Sequence, residues 1–71
     1  MRKPPTYETI EGLVTRILPS GKALLFRENG AAHEICIPLS QIENGNEIAL
    51  YETEIKVTCW LLNKLEEEGK R

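Results

Sequence analysis

The chain has 71 residues, with nine Lys or Arg, eleven Glu and no Asp, for a formal charge of −2; that fits one small domain and argues against a binder held on nucleic acid by a broad basic surface. Its two cysteines, Cys36 and Cys59, stand in no CxxC or zinc-finger spacing, which excludes a disulfide scaffold. No apolar run approaches the roughly 18 residues of a membrane span.

At this length folding buries only about 60% of the surface that the unfolded chain exposes, so a thin core and a net stability of a few kcal/mol are expected. Charge gathers at the ends, with Arg2 and Lys3 at one and Glu66-Glu67-Glu68 and Lys70-Arg71 at the other. Between Glu8 and Leu65 five bases face eight acids, leaving the body near −3. Phosphate contacts would therefore need a local basic patch. Met1-Arg2-Lys3-Pro4-Pro5 leads into no apolar run and does not read as a signal peptide. A cytoplasmic protein with reduced thiols is expected.

Residues 1–8 read as an extended, basic, proline-bearing arm. Residues 9–18 are rich in β-branched side chains and predict a first strand. Alternation puts Ile10, Gly12 and Val14 on one face and Leu13, Thr15 and Ile17 on the other. Gly12 inside a strand points to a bend or a close backbone approach. Pro19-Ser20-Gly21 is a turn. Residues 22–28 form a second strand with apolar side chains on both faces: Ala23 and Leu25 on one, Leu24 and Phe26 on the other. Asn29-Gly30 is a hairpin signal.

A third strand is expected over residues 32–37, with Ile35 and Ile37 inward, His33 on their parity and Cys36 opposite. Pro38 ends it. Ser40 and Glu43 have the S-x-x-E spacing of a capping box, which predicts one helical turn. Asn44-Gly45-Asn46 then turns the chain into a fourth strand over 47–51, with Ile48 and Leu50 inward, and 54–58 is a fifth, with Ile55 and Val57 inward. From Thr58, which can cap it, the pattern becomes helical, with Leu61 and Leu65 at i, i+4. Residues 66–71 read as a charged tail, frayed from Glu67 to Arg71.

Five short strands in about fifty residues, tight turns and one helix predict a mainly all-β fold: a small five-stranded SH3-like or OB-like barrel over residues 9–65 with a short C-terminal α-helix.

The stretch Ile35-Cys36-Ile37-Pro38-Leu39-Ser40-Gln41-Ile42, followed by a glycine turn, resembles a segment of small proteins of unassigned function from phages, plasmids and bacterial genomes. Their usual form is apolar-Trp-Ile-Pro-Lys-Ser-Gln-Ile. Gly12-Leu13-Val14 resembles their upstream Gly-x-Val strand, and Trp60-Leu61 their downstream Trp-Leu. Cys36 replaces an exposed tryptophan of the usual form and Leu39 a lysine, both losses for a stacking, basic surface. The resemblance implies Ala23 and Leu25 as the inward pair of the second strand, and suggests a phage or mobile-element accessory protein. A weaker resemblance, through length and the strand-Asn-Gly-strand pattern, is to bacterial translation initiation factor one and S1-type OB domains.

The residues of possible chemistry have ordinary readings beside them. His33 and Cys36 make an H-x-x-C spacing, and Cys59 is a third soft ligand, but structural zinc takes four ligands. Strand parity puts His33 and Cys36 on opposite faces, which also separates a nucleophile from its base. Glu52 and Glu54 read as solvated surface, and no phosphate-cradling glycine motif is present. No enzyme, cofactor or metal is expected.

With Ala23 and Leu25 inward, Leu24 and Phe26 face out beside Arg27, and either the C-terminal helix covers them through Trp60, Leu61 and Leu65 or a partner does. The expected function is a non-catalytic binding module that docks on a protein or nucleoprotein partner, through Leu24, Phe26, Arg27, Arg16 and Trp60, with a homo-oligomer possible and no membrane. The alternative is a single-stranded nucleic-acid binder working through Phe26, Trp60, Arg16 and Arg27.

Overall fold

The computed structural model describes residues 5–71. Arg2 and Lys3 of the expected arm lie outside the described residues. The chain forms β1 (Tyr7–Ile17), β2 (Ala23–Glu28), β3 (Ile35–Pro38), β4 (Glu54–Thr58) and α1 (Cys59–Glu67). All neighbours are antiparallel, in the order β3-β2-β1-β4. The result is a curled sheet, a half-barrel, with one helix closing its concave side.

The curl comes from β1, which serves two partners in succession. Residues 7–11 pair with β4, and from Gly12 onward the strand pairs with β2. At the changeover a Cβ on residue 12 would lie 2.0 Å from the Arg27 carbonyl oxygen. Only glycine permits that approach, so of the bend or close backbone approach expected at Gly12 it is the close approach that is present. Tyr7 and Glu8, expected in the arm, instead pair with Thr58 and Val57.

The chain leaving β3 returns to β4. Ile42 bridges Val57, and the Glu43 N–H donates to the Lys56 carbonyl at 2.9 Å. The far edge of β4 is thereby covered. Inside the curl, Val14, Leu24, Phe26, Ile37, Val57 and Leu62 are fully buried, with Ile10, Ile35, Ile42, Ile55, Leu61 and Leu65 around them.

The predicted fourth strand is not present. Residues Gly45–Glu47 form a 3-10 turn, entered through Asn44 in the left-handed conformation (φ 56°). Gly45 is buried against Leu39, whose carbonyl oxygen would lie 2.2 Å from a Cβ there. That packing turns the chain before a ladder starts. Ile48 packs on the core but Leu50 is exposed. Tyr51, Thr53 and Glu52 then hydrogen-bond to β1 at Val14 and Gly12 while still outside regular strand. The capping box is also absent: Pro38 occupies the N-cap of the 3-10 turn Leu39–Gln41, and no side chain caps it. The third strand starts at Ile35 rather than Ala32.

Helix α1 begins where the change of pattern places it. The Thr58 hydroxyl accepts from the Leu61 N–H at 3.4 Å and donates to Gln41 Oε1 at 2.8 Å. Thr58 is buried, so Thr58→Ala loses a cap and strands Gln41. A loss of about 1–2 kcal/mol is expected in urea unfolding, with Thr58→Ser keeping most of the stability. Ser losing as much as Ala would remove the hydroxyl from the account.

The end of the chain is ordered rather than frayed. The Lys70 N–H reaches Leu65 O at 2.9 Å and the Gly69 N–H reaches Glu66 O at 3.1 Å, with Gly69 left-handed. That is a Schellman closure. Arg71 then forks onto β2, Nε to Glu28 Oε1 at 2.6 Å and Nη2 to Oε2 at 3.3 Å, while Nη1 holds Glu66 at 2.8 Å. The hydrogen bond to Glu28 holds the Arg71 guanidinium above its ordinary pKa, against the opposing effect of burial. No helix among the described residues is long and apolar enough to cross a membrane.

Candidate interaction face

The convex face of the sheet follows from register. Val14 lies opposite Phe26, and both are buried; Leu13 lies opposite Arg27 and Leu25 opposite Cys36, so these four share the outer face. The facing expected for β2 is therefore reversed. Leu24 and Phe26 are core residues with no exposed surface, and Ala23 and Leu25 are half-buried on the outside. The inward pair implied by the resemblance is one residue out of step. Leu24 and Phe26 accordingly leave the set of residues that a partner can touch.

A β-bulge arranges the rest of this face. Register shifts between Val14 and Arg16, so Thr15 and Arg16 both oppose Leu25. Thr15 Oγ1 donates to the Leu25 carbonyl at 3.4 Å. Without the bulge Arg16 would have the parity of Val14 and point inward; with it Arg16 stands exposed beside Leu25. The same shift moves Ile17 off the outer parity and opposite Leu24, at the strand's end.

Arg16 and Arg27 thus flank Leu25 from two positions on β1 and β2, above a floor of Leu13, Thr15 and Ala23. All five of those neighbours are half-buried or exposed. Among the described residues neither arginine makes an ion pair. Lys22 precedes β2 and is exposed.

Trp60 belongs to another side of the molecule. Helix α1 turns Leu61, Leu62 and Leu65 into the core, and Trp60 is 63% exposed on the opposite helix face. Lys64 Nζ sits 5.2 Å from its ring centroid, a cation–π contact worth about 0.5–1 kcal/mol at an exposed site. The helix covers the concave face, not the outer one, through Leu61 and Leu65 without Trp60.

His33 and Cys36 line one cleft of about 340 Å³, with Ile35, Leu65 and Lys70. His33 precedes the strand, so strand parity does not apply to it. No hydrogen bond joins them, and among the described residues no cluster of three potential metal ligands occurs. Cys36 is exposed and Cys59 half-buried, both as free thiols.

Sequence reasoning placed Leu13 on the outer side but missed Leu25 and Ala23 as surface residues and Gly69–Arg71 as structure. Gly69, following a helical run and preceding two bases, carried the helix-stop signal for the latter. No protein-family model, curated protein or solved structure matches this chain.

Proposed function

We propose that this chain is a non-catalytic binding module that docks on a protein or nucleoprotein partner through the convex face of its sheet. The supporting observation is the pairing of two exposed, uncompensated arginines with a half-buried apolar strip on otherwise acidic protein. Arg16 and Arg27 would meet acidic groups of the partner, and Leu25, Leu13 and Ala23 would supply the apolar contact. Arginine suits that task because its guanidinium forks onto carboxylates. The single-stranded nucleic-acid reading keeps Arg16 and Arg27. It loses its stacking residue, because Phe26 is core and Trp60 lies on the helix side. An aromatic on the same face as the arginines is what such a site needs.

For the architecture we favour an SH3-like barrel over an OB-like one. First and last strands lie side by side, and residues 42–43 bring the chain after β3 to the far edge of β4. The likeness around Pro38–Ile42 to mobile-element proteins adds an accessory role to this proposal.

The test is site-directed photocrosslinking in cells, with a benzophenone amino acid at position 25 and a control at position 63 on the helix. A discrete protein adduct at 25 but not at 63 is expected. Arg16→Glu with Arg27→Glu should reduce it about tenfold, while stability changes by less than about 0.5 kcal/mol. Equal labelling at both positions sinks the reading. A nucleic-acid adduct at 25, with purified protein binding a mixed oligonucleotide in a salt-sensitive way, replaces it with the alternative.

A further inference from the structure

The sheet has one open edge, and its geometry suits a second copy of the same chain. The Leu39 N–H donates to Lys22 O, and the β2–β3 register continues from that pair. In an antiparallel ladder, hydrogen-bonded and non-hydrogen-bonded pairs alternate. Leu24 with Ile37 and Phe26 with Ile35 are therefore the bonded pairs. The backbone N–H and C=O of Glu34 and Cys36 point away from β2. Among the described residues no turn, loop or helix backbone bonds to either. The far edge of β4, by contrast, is taken by Glu43. A cleft of about 340 Å³ lies between β3 and the end of α1.

We propose that β3 pairs antiparallel with β3 of a second copy about a two-fold axis at Cys36. Cys36 then exchanges both backbone bonds with the partner's Cys36. Ile35 lies opposite the partner's Ile37, and Glu34 opposite the partner's Pro38. Each Glu34 N–H reaches a proline carbonyl. Pro38 has no N–H to give outward, so centring the ladder there would forfeit both central donors.

The edge is self-complementary under that operation. The residue on the axis is small, exposed and uncharged, apolar positions meet apolar positions, and the one carboxylate meets a proline rather than its own copy. A foreign extended segment would gain only the same short ladder, cut off by Pro38, without these matched side chains. The low net charge opposes association little. Pairing of this kind puts both convex faces on the same side of one continuous sheet. A partner would then meet two Arg16–Leu25–Arg27 surfaces at once. The dimer itself does not depend on what docks there.

The experiment is light scattering of the full chain across a wide concentration range in reducing buffer. A mass of twice 8.1 kDa is expected at the upper end. Cys36→Glu sets two carboxylates against each other across the axis. Cys36→Pro removes the central donor without costing a bond to β2. Both should weaken association at least about tenfold, and Cys36→Thr should keep it. In a Cys59→Ser background, a short bismaleimide should link wild-type Cys36 to its counterpart, which decides the matter where a Cys36 variant fails to fold. A wild type that stays monomeric at every concentration overturns the proposal and leaves the edge to an extended segment of another protein. So does a dimer that survives both folded Cys36 variants, or one that bismaleimide does not link.

Discussion

Gly12→Ala should leave little folded protein at 25 °C, with a loss of at least about 4 kcal/mol. A Cβ at this position would lie 2.0 Å from the Arg27 carbonyl oxygen and 2.7 Å from the Glu28 Cα. Both atoms are backbone, so no side-chain rotation relieves the overlap. Nor can β1 back away. The Gly12 N–H is held by Thr53 O at 2.9 Å on one side, and Glu11 O is held by the Asn29 N–H at 3.0 Å on the other. Relief requires breaking the junction at which β1 passes from β4 to β2. A 71-residue domain has roughly 4–11 kcal/mol in total, so the loss is comparable with all of it. Gly21→Ala is the control. Gly21 is also glycine, at φ +71°, with nothing within 4 Å of its Cβ position, and it should cost only about 1–2 kcal/mol for the left-handed backbone. Urea midpoints that coincide for the two variants would show that close packing at Gly12 is not what the fold depends on.

That junction also explains what the sequence made legible. Glycine inside a β-branched run is a local signal, and the geometry it announces is local. The same holds for Asn29-Gly30, for Thr58 before an i, i+4 leucine pair, and for Ile35 and Ile37 alternating with Cys36. The residues over 47–51 failed because their signal was equally local and the competing contact was not. Ile48 and Leu50 alternate like a strand, but Gly45 buried against Leu39 decides where the chain goes. A capping spacing at Ser40 and Glu43 likewise yields to Pro38, which takes the N-cap position two residues earlier.

The candidate interaction face was half legible, for a related reason. Arg16 and Arg27 were visible as bases beside apolar strand positions, and both stand on the convex face. Their common facing depends on the bulge at Thr15, which no alternation pattern contains. For β2, apolar residues at four successive positions made the choice of inner pair a matter of register. Register there is set by Val14 opposite Phe26, a contact between residues twelve apart in the chain. The tail was misread because its clamp, Arg71 on Glu28, joins residues that no local pattern couples.

The consequence for experiment is sharpest at Phe26. Phe26→Ala should destabilise by about 3–5 kcal/mol, enough to unfold a large fraction of the molecules. Phe26 has no exposed surface, lies opposite Val14 on one side and Ile35 on the other, and is among the largest fully buried side chains. Truncation removes the ring from the centre of a thin core, and little can move in to fill the space. The walls are two hydrogen-bonded strands and a helix tied down at both ends. Phe26→Leu, which keeps most of the volume, should cost clearly less. Leu25→Ala, one residue along and half-exposed, should cost less still, about 1 kcal/mol. The order Phe26→Ala, then Phe26→Leu, then Leu25→Ala in chemical denaturation is thus a direct reading of which face of β2 is the core. Reversal of the Phe26 and Leu25 alanine variants would restore the opposite facing and with it Phe26 as a surface residue. With the facing as it stands, any loss of binding in a Phe26 variant reports unfolding, and the proposed docking is tested at Leu25, Leu13, Ala23, Arg16 and Arg27.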